Sequence, residues 1–103
     1  MRVDFEREGG YAPLRLEYHA NTDELPEDIA KKLLDMVKSS GIAEIQQSDL
    51  ATTQAFPDMF TYRLTLIEGG KLKSLSFNDI TVPSSLHPLL EFLQELALEQ
   101  RSN

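Results

Sequence analysis

The order of apolar and polar residues along the chain predicts four β-strands and two α-helices. Strict alternation marks the strands, because successive side chains of a strand point to opposite faces of a sheet. Apolar residues three and four positions apart mark the helices, one starting at Pro26 and one following Ser84 or Ser85. The alternating stretches are residues 2–8, 14–18, 60–66 and 72–77.

Each of these strands has one apolar and one polar face, which is typical of an antiparallel sheet covered on one side only. We therefore predict an α+β domain with the element order ββαββα. In this fold a four-stranded antiparallel sheet carries two helices packed on one face.

Local signals predict how the helices and hairpins begin and end. Pro26 suits the start of the first helix, where its missing N–H donor has no cost. Gly41 suits the left-handed residue that follows a helix, and a serine suits the cap of the second helix. The pairs Gly9-Gly10 and Gly69-Gly70 predict hairpin turns.

Residues 42–59 carry no clear periodicity. We expect Ile42 and Ile45 to fill the core, and we expect the stretch from Leu50 to Met59 to form a loop, because Pro57 disfavours strand pairing there.

Length and charge narrow the class of protein. A chain of 103 residues suits a single domain, which we assign to residues 1–103. The net charge of −7 argues against binding nucleic acid, which requires concentrated lysine and arginine. The absence of cysteine, of an apolar leader and of any long apolar window predicts a cytoplasmic protein without membrane contact.

The sequence lacks the motifs of common enzyme and cofactor sites. Its two histidines, His19 and His87, do not stand in metal-binding spacing, and no phosphate-binding or nucleophile motif occurs. We therefore expect a protein that is not an enzyme, needs no cofactor and binds no metal when isolated.

Connectivity suggests where a binding surface lies. If the first helix runs along the strands and residues 42–48 run back, the loops 20–25, 49–59 and 78–83 gather at one end of the sheet. The glycine hairpins then occupy the other end. Loops held on a rigid scaffold are where binding residues tend to lie.

Several short motifs, taken in order, resemble one known family. The acidic stretch that precedes Leu25-Pro26 and the Gly-Gly hairpin after the third strand belong to the pattern. Its other parts are Arg7-Glu8-Gly9-Gly10-Tyr11, Phe60-Thr61-Tyr62, and Pro83 followed by Leu86-His87-Pro88-Leu89-Leu90 and Leu93. Over nearly the whole chain, this order resembles emfourin and its relatives, small bacterial inhibitors of protealysin-like zinc metalloproteases of the thermolysin type.

The resemblance implies that two neighbouring loops enter the cleft of such a protease. One loop brings an aspartate to the catalytic zinc, and the other places apolar side chains in the substrate subsites. We assign the zinc-directed role to Asp23, with Asp79 as the runner-up and Asp49 and Asp58 as weaker candidates. The predicted subsite contacts are Leu50, Phe56, Met59 and Ile80.

Other readings of these residues stay open. Asp23 or Thr22 could simply cap the helix, Asp79 could form an Asx turn, and Phe56 and Met59 could pack on the core. The chain could also be a non-catalytic interaction or dimerisation module, or an acidic mimic that blocks a nucleic-acid-binding protein. We expect a monomer in the free state.

Overall fold

A computed structural model describes residues 1–9, 15–50 and 59–102 of the chain. Four strands form one antiparallel sheet in the spatial order β2-β1-β3-β4. The strands are β1 (Arg2–Gly9), β2 (Leu16–Asn21), β3 (Phe60–Glu68) and β4 (Lys71–Asn78). The helices are α1 (Glu27–Ser40) and α2 (His87–Ser102). The predicted α+β fold with the order ββαββα is confirmed.

The core lies between one face of the sheet and the two helices. Alternate residues of the strands supply its lower layer, among them Val3, Phe5 and Leu64, all fully buried. Leu33 of α1 and the apolar stripe of α2 supply the upper layer: Leu89, Leu90, Leu93 and Ala97. Every second residue of the strands and every third or fourth residue of the helices therefore contribute side chains to a single core.

The helix ends agree with the sequence in part. Gly41 has the left-handed conformation (φ 69°) and ends α1 as predicted, whereas Pro26 is the cap residue and not the first helical one. The predicted serine cap of α2 is wrong. Ser84–Leu86 form a 3-10 turn that starts at Pro83 without a side-chain hydrogen bond, and α2 begins at His87. The fixed backbone of Pro83 (φ −64°) takes the place of a capping side chain.

Helix α1 crosses the sheet and does not run along it. Its N-terminal approach begins at Thr22, whose N–H donates to the carbonyl of Met1 at 2.8 Å. Beyond its C-terminal end, Ala43 lines a groove together with Met1 and Gly69. Both ends of α1 therefore lie near the end of the sheet that holds Met1, and the helix spans from β2 towards the β3–β4 hairpin.

The segment after α1 closes the side of the core beside β4. Ile42 is 1% exposed and Ile45 is half-buried against the core, as the sequence predicts. From Ala43, beside Lys71, the chain proceeds to Gln47, which contacts Ser76, so the segment runs in the same direction as β4.

Candidate functional site

Strand register places the turns at two opposite ends of the sheet. β1 pairs antiparallel with β3, so that Arg2 lies opposite Ile67 and Gly9 lies opposite Phe60. Arg2 also lies opposite Asn21 of β2. The turn containing Asp23 therefore shares one end with the Gly69-Gly70 hairpin, and residues 59 and 78–83 lie at the other.

This register corrects the predicted clustering of three loops. Met59 and the turn 78–83 do lie at the same end, but the loop 20–25 lies at the opposite one. Residues 51–58 of the predicted loop 49–59 lie outside the described residues. β1 is eight residues long, and at about 3.3 Å per residue its ends are roughly 23 Å apart. The prediction failed because it assumed that α1 runs along the strands and that residues 42–48 return, whereas α1 crosses them.

Asp23 lies in a short 3-10 turn, Thr22–Glu24, which is held from both sides. Asn21 caps the turn, since its Oδ1 accepts a hydrogen bond of 3.0 Å from the N–H of Asp23. On the other side, the amino group of Met1 donates to Oγ1 of Thr22 at 3.0 Å.

The carboxylate of Asp23 has no structural role among the residues that the structure describes. Asp23 is exposed, its side chain takes part in none of the hydrogen bonds or ion pairs found there, and α1 starts at Pro26 without a side-chain cap. Neither Asp23 nor Thr22 therefore caps α1, and Asn21 caps only the 3-10 turn that precedes it.

Asp79 is in a different situation, because both of its carboxylate oxygens are used. Oδ2 accepts a hydrogen bond of 2.9 Å from the N–H of Phe60, and Oδ1 accepts one of 2.8 Å from the phenol of Tyr62. Burial and this hydrogen bond raise the pKa of Tyr62 to about 12. Asp79 therefore ties the turn before α2 to the start of β3.

The Asx turn considered as an alternative role for Asp79 is formed by its neighbour, Asn78. Oδ1 of Asn78 accepts hydrogen bonds from the N–H groups of Ile80 (2.8 Å) and Thr81 (3.0 Å). This geometry displays the side chain of Ile80, which is 56% exposed.

The other predicted apolar contacts are less exposed or lie outside the described residues. Leu50 is half-buried and packs against the core, and Met59 is also half-buried. Phe56 and Asp58 lie outside the described residues, as does the side chain of Asp49.

Two residues near these ends were missed by the sequence reading. Leu72, at the same end as Asp23, is 66% exposed on β4. Arg7, at the other end, lies on the same face of β1 as Val3 and Phe5. Its guanidinium lies 4.3 Å from the ring centroid of Phe60 and donates a hydrogen bond of 2.5 Å to Oε1 of Gln94. The same alternation that identified the core of β1 predicts the inward position of Arg7.

The described part of the chain contains no group of three or more metal-ligating side chains. Nδ1 of His19 lies 2.7 Å from Oδ1 of Asp4 on the open face of the sheet. Within the same residues, no helix is both long and apolar enough to span a membrane.

The fold and these turns define a small α+β domain that presents its candidate contact groups on turns at the two ends of one sheet. The sequence model of the emfourin family matches residues 5–94, and the chain belongs to that family. Membership in this family indicates a role as a protease inhibitor. Comparisons with curated proteins and with solved structures give no match.

Proposed function

We propose that this protein inhibits a protealysin-like zinc metalloprotease of the thermolysin type. The observation that carries the proposal is the match to the emfourin family over residues 5–94. The structure supports it with a packed scaffold that holds an exposed carboxylate at a fixed turn.

In the proposed complex, the carboxylate of Asp23 binds the catalytic zinc of the enzyme. Carboxylate oxygens are normal zinc ligands, and a catalytic zinc keeps one position open for water or substrate. An inhibitor carboxylate in that position displaces the water without presenting a bond to cleave. The chain's own part is to hold Asp23 in place, through the cap at Asn21 and the contact between Met1 and Thr22.

Two features favour Asp23 over Asp79. The side chain of Asp23 is exposed and takes part in no hydrogen bond among the described residues, so binding a metal breaks nothing. Asp79 would have to share or give up its hydrogen bonds to Phe60 and Tyr62. Breaking such bonds costs free energy that the complex would have to regain.

The strand order favours a different set of apolar contacts beside each aspartate. Asp23 follows the end of β2, and Leu72 lies on β4, three strand spacings across the sheet. Three spacings amount to roughly 14 Å, the length of about four extended substrate residues. We assign Leu72 to a subsite along the cleft from the zinc. Leu50, Met59 and Ile80 belong to an alternative arrangement in which Asp79 faces the zinc, while Phe56, outside the described residues, keeps its predicted subsite role.

The direct test is incubation with a thermolysin-type protease followed by an activity assay. We expect tight inhibition that develops slowly, and elemental analysis of the isolated protein should show no stoichiometric zinc. Full protease activity at micromolar inhibitor would contradict the proposal, as would stoichiometric zinc in the free protein.

A further inference from the structure

The Gly69-Gly70 hairpin fixes which backbone groups of β4 point away from the sheet. Both glycines have positive φ (57° and 80°), as in a two-residue type I′ turn. The flanking residues Glu68 and Lys71 then form a hydrogen-bonded pair, and such pairs alternate with non-bonded ones along the ladder. The outward N–H and C=O groups are therefore those of Leu72, Ser74, Ser76 and Asn78.

The outward backbone groups of two of these four residues, Ser76 and Asn78, form hydrogen bonds within the chain. The side-chain amide of Gln47 accepts from the N–H of Ser76 at 2.8 Å and donates to its carbonyl at 2.9 Å. The N–H of Asn78 donates to Oγ1 of Thr81 at 2.9 Å, and its carbonyl accepts from the N–H of Val82 at 3.0 Å. Gln47 thus occupies the edge of β4 as a peptide unit of a fifth strand would.

Leu72 and Ser74 have no comparable partners among the residues that the structure describes. The N–H and C=O groups of both point outward from an edge strand. A row of unpaired groups on an edge strand is a template for pairing with another extended segment.

An apolar groove of about 640 Å³ lies directly beside this free edge. Val37, Ile42, Ala43 and Leu66 form its apolar walls, and Leu72 borders it. A strand that pairs with Leu72 and Ser74 would place alternate side chains on the helix-covered side, where the groove can accept one of them.

Charge decides what kind of strand fits. Lys71 and Lys73 both border the groove, on the same sheet face as Leu75 and Phe77. Neither lysine belongs to the ion pairs found in the described part of the chain. Glu68 also borders the groove and lies opposite Lys71, whereas Lys73 lies opposite the apolar Leu66. An acidic side chain of an added strand on this face would therefore meet Lys73 with no carboxylate opposite it.

A second copy of the chain does not fit. An antiparallel pair of β4 strands centred on Lys73 sets that lysine against its symmetry mate, and one centred on Leu72 sets Lys71 against Lys73. Like charges directly opposite each other destabilise a sheet. Centring on Ser74 would require the backbone of Ser76, which Gln47 already occupies.

We propose that the edge of β4 at Leu72–Ser74, with the adjoining groove, binds an extended segment of another protein by strand addition. The segment carries an apolar side chain for the groove and an acidic side chain two positions away on the same face. The two proposals share Leu72: strand addition uses its backbone N–H and C=O groups, whereas the proposed protease contact uses its side chain.

The test is a titration with the heptapeptide acetyl-Thr-Glu-Thr-Leu-Thr-Glu-Thr-amide, followed by amide NMR. It contains no protease, so its outcome is independent of the inhibition assay. We expect shifts centred on Leu72–Ser74 and Ala43, slower hydrogen exchange at the amides of Leu72 and Ser74, and a Kd tighter than about 1 mM. Shifts confined to other regions, or a Kd weaker than that, would overturn the proposal.

Two variants test the mechanism. Ser74→Pro removes one outward N–H, which an edge strand tolerates, and should weaken binding about fivefold, the equivalent of roughly one hydrogen bond. Ser74→Ala keeps the N–H and is the matched control. Equal binding by Ser74→Pro and Ser74→Ala contradicts strand addition.

Lys73→Glu keeps the backbone donors and tests the charge. It should weaken binding of the acidic peptide and strengthen binding of the same peptide with lysine in place of glutamate. Unchanged preference contradicts the assigned partner chemistry, and dimerisation of the natural chain through β4 contradicts the assigned occupant.

Discussion

The phenol of Tyr62 donates a hydrogen bond of 2.8 Å to Oδ1 of Asp79, while Oδ2 of the same carboxylate accepts from the backbone of Phe60. One carboxylate thus joins the turn before α2 to the first two inward positions of β3. This pair leads to a prediction about stability at alkaline pH.

Tyr62→Phe should make stability less sensitive to alkaline pH. Burial and the bond to Asp79 raise the pKa of Tyr62 from 10.0 to about 12, so the folded state holds the phenol proton more tightly than the unfolded state. This stabilisation is complete below pH 10 and is lost as the pH rises from 10 to about 12. Urea denaturation across that range should show a steeper decline for the natural chain than for Tyr62→Phe, and equal slopes would contradict the assignment.

Asp23→Asn should separate inhibition from stability. The substitution removes the ionised ligand but keeps the size of the side chain, which makes no structural hydrogen bond among the described residues. We expect an unchanged Tm and at least about tenfold weaker inhibition.

Asp79→Asn is the matched control for that experiment. It should lower the Tm, because the amide cannot reproduce both hydrogen bonds with equal strength, and leave inhibition nearly unchanged. The reverse result, with inhibition lost in Asp79→Asn and kept in Asp23→Asn, would move the zinc-directed role to the other end of the sheet.

Truncation of one exposed apolar residue at each end identifies the contact surface. Leu72→Ala should weaken inhibition by roughly 1–4 kcal/mol, as loss of an interface anchor does, whereas Ile80→Ala should not. These side chains are 66% and 56% exposed. The free energy of unfolding of each variant should therefore lie within about 0.5 kcal/mol of the value for the natural chain. Inhibition constants measured beside urea denaturation check both statements, and a larger effect of Ile80→Ala would support the alternative arrangement.

Gly9→Ala should destabilise the fold strongly. Gly9 has a φ of 105°, and a Cβ at this position would lie 2.4 Å from the carbonyl oxygen of Met59. Backbone strain alone costs about 1–3 kcal/mol, and the contact with a backbone atom adds to it. Gly69→Asn is the control, because φ is 57° there, no atom lies within 4 Å, and asparagine tolerates this conformation. Equal unfolding free energies for the two variants would show that the close approach does not constrain the strand end.

Gln47→Ala should lengthen the free edge of β4 while weakening the fold. It removes two hydrogen bonds to Ser76 and exposes the N–H and C=O groups that they satisfy, at a cost of about 1–3 kcal/mol. The heptapeptide should then bind more tightly, since a third residue of β4 becomes available. Gln47→Glu keeps an acceptor for the N–H of Ser76, so its stability and its peptide affinity should lie between those of the natural chain and Gln47→Ala. Weaker peptide binding by Gln47→Ala would argue against the site.

Periodicity was enough to predict the strands, the helices and their shared core, because each element satisfies its own local pattern. Ile42 lies outside any periodic stretch and was placed in the core because it is a large apolar residue in an otherwise polar segment. The course of the chain across space was harder to predict. Nothing local in residues 27–50 shows that α1 crosses the strands, so the pairing of Gly9 with Phe60 had to come from the structure.

The candidate site was affected most by that missing information. The choice of Asp23 rested on the resemblance and stays a prediction, and the structure leaves its side chain unengaged among the described residues. Grouping Asp23 with Met59 and Ile80 needed the strand order, and it was wrong. Leu72 was passed over because an alternating strand gives no indication of which outward apolar side chain remains uncovered.

The position of β1 between β2 and β3 has a consequence for how the chain folds. The hairpins β1–β2 and β3–β4 join residues close in sequence, but the central pairing of Gly9 with Phe60 joins residues about 50 positions apart. Closing so long a loop carries an entropic cost that precedes any gain from long-range contacts, and folding slows as contacts become less local. We therefore expect the pairing of the two hairpins, through β1 and β3, to limit the folding rate. Substitutions that weaken contacts between β1 and β3 should slow folding, whereas substitutions that weaken either hairpin turn should mainly speed unfolding.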